Sequence, residues 1–288
     1  MSSGEIEKKA EDALADEVAK LSLGESSTPV KEIEGAPVAL KALAHWILND
    51  CEKVVVLSGA GVSVAAGIPD FRSPGTGLYD NLQKYNLPYP EAVFDVDFYR
   101  KNPKPFCSLA KEIWPGMIHS PTLTHCFMSM LASKGKLLRV YTQNIDGLEV
   151  LAELPPDKIV ECHGHFRTAA CIDCAKSADI DSVVQSITKE GKAPTCDKCK
   201  GYVKPDIVFF GEGLPNRFHK LLRPDLQQAD LLIILGTSLQ VAPVSMIPDL
   251  VNRNICKRVL LNRELVGNLD ILGKTNKQNK STARYSTR

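Results

Sequence analysis

Two thiolate pairs carry the most specific chemistry in the sequence. Cys171-x-x-Cys174 and Cys196-x-x-Cys199 are separated by a segment slightly longer than a usual zinc-ribbon connection. Four thiolates fill a tetrahedral zinc shell and leave no open position for water or substrate, so the expected metal is structural. A redox C-x-x-C belongs at the start of a thioredoxin-type helix rather than in a polar, loop-rich insert. Unrelated free thiols are the bland alternative. Cys51, Cys107, Cys126, Cys162 and Cys256 show no paired spacing and read as core thiols.

A second set of residues points to a phosphate-bearing ligand. The apolar run Val54–Leu57 leads into Gly59, Ala60, Gly61, Ser63 and Gly67. A buried strand that turns through glycines into a helix start presents free N–H groups to an anion. Val64 occupies the third glycine position of G-x-G-x-x-G, so a merely tight strand–helix turn stays open. Asp70, Phe71 and Arg72 follow between Pro69 and Pro74, a loop whose mixed charge favours a ligand over a plain turn. Gln143, Asn144 and Asp146 follow the run Leu137–Tyr141, where a parallel sheet binds ligands; capping of the next helix is the other role open to Asn144 and Asp146. His163 closes the short run Lys158–Glu161, either as a general base with an ordinary pKa near 6.5 or as a structural histidine. Gly236, Thr237 and Ser238 end the apolar run Leu231–Leu235 and offer N–H and hydroxyl donors. Asn262, Arg263 and Glu264 end Val259–Leu261, where an acid can take a ribose hydroxyl.

Runs such as Val54–Leu57 and Leu231–Leu235, apolar on both faces, predict an open parallel sheet under helices. Leu40, Leu43, Ala44 and Ile47 form a helical stripe, and Pro103–Trp114 and Thr122–Leu131 are predicted helices. Tyr85–Phe98 reads as a loop or a small helical module, and Lys204–Glu212 as a strand running into a loop. The length of 288 residues suffices for one large domain or a domain with an insert. A net charge of +1 gives no reason to expect nucleic acid, and no run reaches the ~20 apolar residues of a membrane span. The first residues are acidic, with a helix expected around Glu5–Leu23, and the last are basic. Both ends read as solvated tails. The acidic start and absent signal core favour cytoplasm or nucleus.

These pieces resemble the sirtuin family of NAD-dependent protein deacylases. The resemblance rests on GAGVSVAAGIPDFRSPGTGLY at 59–79, TQNID at 142–146, HG at 163–164, the four cysteines, VKPDIVFFGE at 203–212, GTSLQV at 236–241 and LLNRE at 260–264. It spans roughly residues 37–266 and is closest to the branch of the mammalian mitochondrial and cytosolic deacetylases; LPYPEAVF at 87–94 leans to the mitochondrial type, which makes the mitochondrial matrix the alternative compartment. It implies an α/β fold: a Rossmann-like parallel-sheet domain (36–80, 134–165 and 204–265) with a smaller domain of a helical module (81–133) and a zinc ribbon (166–203), between tails 1–35 and 266–288.

The resemblance further implies NAD as co-substrate and one structural Zn2+. His163, Asn144 and Asp146 would be catalytic, with His163 acting as base through the ribose hydroxyls. The cofactor would be lined by residues 59–79, including Ile68, Asp70, Phe71, Arg72 and Tyr79, then by Gln143–Asp146 with Ile145, by Gly236–Ser238 and by Asn262–Glu264. An acetylated lysine from a histone or another protein would enter beside Phe71, Val208 and Phe209. Its backbone would add as a strand between Phe210, Gly211 and Glu212 on one side and Leu239–Val241 on the other. The products implied are nicotinamide, free lysine and O-acetyl-ADP-ribose. No Tyr-x-x-Arg follows Gly77, which suits acetyl or aliphatic acyl groups. His165 and Cys162 depart from the family's usual residues beside the histidine. Val266–Arg288 lacks the Gly-Asp segment expected over the adenine, so a truncated, catalytically impaired form binding acyl-lysine or a partner is the alternative reading.

Overall fold

The computed structural model describes residues 38–73, 75, 77–78, 82, 85, 87–115, 119–267 and 284–285. The expected Glu5–Leu23 helix, the acidic stretch to residue 35, Tyr79 and most of 266–288 lie outside them. The chain enters through α1 (Val38–His45) and β1 (Val54–Ser58), whose five residues are all buried. After a 3-10 segment at Pro90–Phe94 come α2 (Val96–Lys101), α3 (Lys104–Ile113) and α4 (Leu123–Ser133). Their starts are fixed by local chemistry. Asp95 Oδ1 accepts the Phe98 N–H at 2.7 Å, and Thr122 opens α4 by donating its N–H to His125 Nδ1 at 3.2 Å.

β2 (Leu137–Thr142), α5 (Leu148–Leu151) and β3 (Ile159–Glu161) follow, then β4 (Gly164–Cys171), β5 (Ser177–Ala178), α6 (Ile180–Val184) and β6 (Val203–Ile207). α7 (Asn216–Gln228), β7 (Leu231–Leu235), α8 (Ile247–Leu250), β8 (Lys257–Leu261) and β9 (Arg284–Tyr285) complete the order. The large sheet is parallel throughout in the order β3-β2-β1-β7-β8-β9. Counted within the sheet this is 3-2-1-4-5-6, the order of a dinucleotide-binding fold. Winding reverses between β1 and β7, and a crevice opens above their carboxyl ends. β9 pairs with β8, placing Arg284 opposite Leu260, although the basic stretch around it carries no strand pattern.

Alternation along β1 divides the core. Val55 and Leu57 pack with Tyr141, Ile234 and, from α7, Phe218 and Leu226. Val54 and Val56 pack on the other face with Leu43 of α1 and Met128 and Leu131 of α4. A third core of Phe94, Tyr99, Phe106, Phe166, Ile187 and Phe209 belongs to the smaller unit.

β4, β5 and β6 form a separate antiparallel sheet in the order β5-β4-β6. Residues 204–265 read from sequence as part of the Rossmann-like unit, yet β6 leaves the parallel sheet and pairs with β4. Cys171 lies opposite Val203 at one end of this ladder and Gly164 opposite Ile207 at the other. The cysteine knuckles and His163 are therefore joined by one strand pair, whose register shifts between Gly164 and Ala169.

Candidate active site

The glycines at the crevice are explained first by backbone packing. Gly61 N–H donates to Gly236 O at 2.8 Å, and Gly59 N–H to Leu235 O at 3.0 Å. A Cβ on Gly61 would lie 2.8 Å from Gly236 Cα, and one on Gly59 2.7 Å from Thr237 Cβ. Gly236 itself sits at φ +54, with the Val62 nitrogen 2.7 Å from where a Cβ would be. The turns after β1 and β7 are thus locked face to face. They form the floor of a cavity of about 1630 Å³ whose walls include Gly59–Val62, Gly67–Ser73, Gln143–Ile145, His163, Ile207–Leu214, Gly236–Ser238 and Leu261–Glu264.

Behind that wall lies a polar layer. Asn144 is buried, and its Nδ2 donates to Ser63 Oγ at 3.1 Å and to Gly59 O at 3.3 Å. Ser63 donates in turn to Asp146 Oδ2 at 2.7 Å, and Asp146 Oδ1 accepts the Leu148 N–H at 3.0 Å. Ser63 and Asp146 are not on the cavity wall; they brace Asn144 and the start of α5 from behind. Gln143 does face the cavity, and its Nε2 holds Thr237 Oγ1 at 2.8 Å.

His163 stands where β3 gives way to β4. Its Nδ1 is 2.8 Å from Gln143 O. A carbonyl only accepts, so Nδ1 carries the hydrogen and Nε2 presents a lone pair. That Nε2 is buried with no hydrogen-bond partner among the described residues. Burial pushes the imidazole pKa below its ordinary 6.5, against the smaller opposing effect of the Gln143 bond. Gly164 must follow it: at φ +75, a Cβ would sit 2.0 Å from Asp206 O. Val208 N–H donates to His163 O at 2.8 Å, tying the histidine to the opposite wall.

Asp70 shapes its loop. Its Oδ1 accepts N–H groups of Ser73 (2.7 Å) and Arg72 (3.0 Å), and its Oδ2 accepts the Ser73 hydroxyl. Burial alone would raise its pKa, but the Ser73 and Arg72 bonds and the charge of Arg263 hold it below the usual carboxylate value. Arg263 reaches across from the end of β8 to donate to Ser73 Oγ at 2.9 Å, joining two of the sequence-predicted segments. Asn262 Nδ2 donates to Glu264 O at 2.9 Å, closing the turn after β8.

Phe71, Phe94, Phe106 and Phe209 meet edge to face at centroid distances of 5.0 to 6.2 Å; Phe71, Phe94 and Phe209 line the cavity, with Phe106 buried behind them. Val208, Phe210, Gly211 and Glu212 continue this wall, and Gln240 and Val241 face it; Leu239, at φ +51, does not line it. Sequence reading missed the apolar side of the cavity, which is lined by Leu40, Leu43, Leu123 and Phe127 of α1 and α4. Their spacing announced only helix stripes.

The four cysteines converge as expected. Cys171 and Cys199 sulfurs lie 3.4 Å apart, Cys174 and Cys196 3.7 Å, and all four within 4.8 Å of one another. Four sulfurs at ~2.3 Å from a tetrahedral zinc would be about 3.8 Å apart, so the donor set fits that metal. The two knuckles repeat one turn. Ala175 N–H returns to Cys171 O (3.0 Å) and Lys200 N–H to Cys196 O (2.9 Å), and Ala175 and Lys200 take positive φ of 54 and 65.

Beside Ser58 and Asp146 sits a buried carboxyl, Glu149, which does not line the cavity. Burial, then the neighbouring Asp146, pushes Glu149 from 4.5 up to about 7. The folded state therefore holds a proton that the unfolded chain has already lost. Stability from this group is intact below pH 4.5 and is lost as pH rises through about 7, a change of roughly 3 kcal/mol. Glu149→Gln is expected to flatten that decline, measured as urea midpoints on either side of this window. Parallel slopes in both proteins would disprove the assignment.

The family model described as Sir2 family matches residues 59–243, from the first crevice glycine to the turn after β7. The chain is 50% identical over 233 residues to the "NAD-dependent protein deacetylase sirtuin-2" of Danio rerio, covering 80% of this chain and 61% of that protein. It is 52% identical over 217 residues to the "NAD-dependent protein deacetylase sirtuin-3" of Mus musculus (75% and 64%). Against the "NAD-dependent protein deacetylase HST2" of Candida albicans it is 50% identical over 228 residues (79% and 68%). The chain thus spans roughly three fifths of the fish and mouse proteins. With that match laid over the crevice, the histidine and the cysteine knuckles, the chain belongs to the Sir2, or sirtuin, family.

Proposed function

We propose that the chain is an NAD-dependent protein-lysine deacetylase. The observation that carries this reading is His163, with Nδ1–H fixed on a main-chain carbonyl and a bare, buried Nε2 on the wall of a cavity large enough for a dinucleotide and an extended side chain. When bound, NAD supplies the ribose carbon that accepts the acetyl oxygen as nicotinamide leaves. His163 Nε2 takes a proton at this site, and its lowered pKa keeps it unprotonated at neutral pH.

Asn144 holds the nicotinamide end, braced by Ser63 and Asp146, while Ala60, Gly61, Ile68, Arg72, Gln143 and Gly236–Ser238 line the rest of the cofactor site. Asn262–Glu264 take the adenosine end. Phe71, Val208 and Phe209 exclude water around the acyl group. Phe210 is already paired, its N–H with Phe94 O (2.7 Å) and its O with Val96 N–H (3.1 Å). A substrate backbone is therefore assigned to Gly211–Gly213, opposite Leu239–Val241. The substrates are acetylated proteins. Among the described residues no helix is long and apolar enough to cross a membrane. The acidic start of the sequence supports cytoplasm or nucleus as the compartment, with the mitochondrial matrix the alternative.

The test is incubation with an acetyl-lysine peptide, with and without NAD. Free peptide and nicotinamide should appear in equal amounts and only together. Deacetylation without NAD, or nicotinamide release that never yields free lysine, would sink this reading. Peptide binding without turnover would favour the impaired binding form.

A further inference from the structure

Lys204 is a buried cation outside the catalytic set. It is 6% exposed on β6, and its ammonium has three acceptors within reach: Ile207 O at 2.7 Å, Glu212 Oε2 at 3.0 Å and Pro205 O at 3.3 Å. The same Glu212 oxygen accepts the Phe209 N–H at 2.8 Å, and Glu212 N–H returns to Phe209 O at 3.0 Å. The Lys204 Nζ also stands 4.7 Å from the centroid of the Phe209 ring. Three ammonium donors thus meet three acceptors, and the chain from Pro205 to Glu212 is folded around one charge.

We propose that Lys204 is a positioning residue for the acyl-lysine peptide, holding the Val208–Gly213 loop from beneath in the shape that walls the lysine tunnel and presents Gly211–Gly213 to the substrate backbone. This rests on the deacetylase reading above. The geometry makes the effect one-sided. Every acceptor of the Lys204 ammonium lies on the β6 strand or the peptide-side loop, whereas the cofactor floor is built from the interlocked turns after β1 and β7. A buried ammonium deprived of its carboxylate keeps its desolvation cost without its partner, so the loop, not the sheet, must rearrange. Glu212, which sequence reading assigned to substrate contact, serves in this account through its side chain as the partner of Lys204.

The experiment compares Lys204→Met and Glu212→Gln with the wild-type chain. Glu212→Gln retains an oxygen for the Phe209 N–H while removing the charge, and serves if the methionine variant does not fold. The expected result is a rise of about tenfold or more in KM for an acetyl-lysine peptide, with NAD affinity by calorimetry changed less than about twofold. Hydrogen exchange should quicken at the Phe209 and Glu212 amides and stay unchanged along β1 and β7. An unchanged peptide KM, or an equal loss of NAD and peptide binding, would overturn the proposal. Should the wild-type chain show no NAD-dependent deacetylation, the functional reading fails by itself. Exchange at Phe209 and Glu212 then decides the clamp, and unaltered protection in the variants rejects it.

Discussion

Replacing His163 with alanine is expected to lower deacetylation by about 10²–10⁴-fold while NAD still binds. The side chain contributes one hydrogen bond to the fold, from Nδ1 to Gln143 O, and its other nitrogen is buried and unpaired among the described residues. Losing it removes the proposed base without dismantling a wall, because Val208 is held by the His163 main chain. The pH profile gives a second check. Burial favours the neutral imidazole, so the acid limb of kcat/KM should fall below pH 6.5. A limb above that value, or an alanine variant that keeps wild-type turnover, would assign the base elsewhere. Calorimetric NAD binding by the variant separates lost chemistry from lost structure.

Removing the metal is expected to have a comparably large effect by a different route. The four sulfurs, all of free cysteines, lie within 4.8 Å of one another, a donor set that fits a tetrahedral metal. Structural zinc contributes on the order of 10 kcal/mol to small zinc modules. Cys196→Ser, or treatment with a strong chelator, should therefore release the knuckles and loosen the far end of the β4–β6 ladder. That ladder begins at Gly164 and Ile207, beside His163 and Val208. Activity should be lost even though no cysteine lines the cavity, and zinc returned to the chelated protein should restore it. Metal analysis should find one zinc per chain. Full activity in zinc-free protein would refute a structural metal.

Much of this was legible in the sequence because the signals were dense. Val54–Leu57 and Leu231–Leu235 could hardly be other than central strands, and both are buried throughout. The thiolate spacing announced a metal, and the residues just past each strand proved to face one crevice. What the sequence did not disclose was why the glycines are there. Close approach to a phosphate and close approach to another backbone demand the same residue, and here Gly59, Gly61 and Gly236 meet one another. β4 was missed because its residues, from Gly164 to Cys171, alternate only weakly between buried and exposed. β9 is two residues long and owes its conformation to the open edge of β8, a tertiary cause with no local signature. Ser63 and Asp146 were expected to contact the cofactor; their place behind Asn144 depends on side-chain direction, which spacing does not reveal. Lys204 was passed over since a lysine after a valine in a strand usually points to water.

The bond from His163 to Gln143 ends on a main-chain oxygen, the one acceptor at that position that every amino acid possesses. Gene-level change can therefore remove the imidazole but has little means of mis-setting its tautomer. A substitution at Gln143 would break its side-chain hold on Thr237 and still leave the proton on Nδ1. A side-chain orienter, such as the aspartate of a serine-protease triad, can be deleted by one codon. In this chain the choice of nitrogen is heritable only through the path of the backbone after β2.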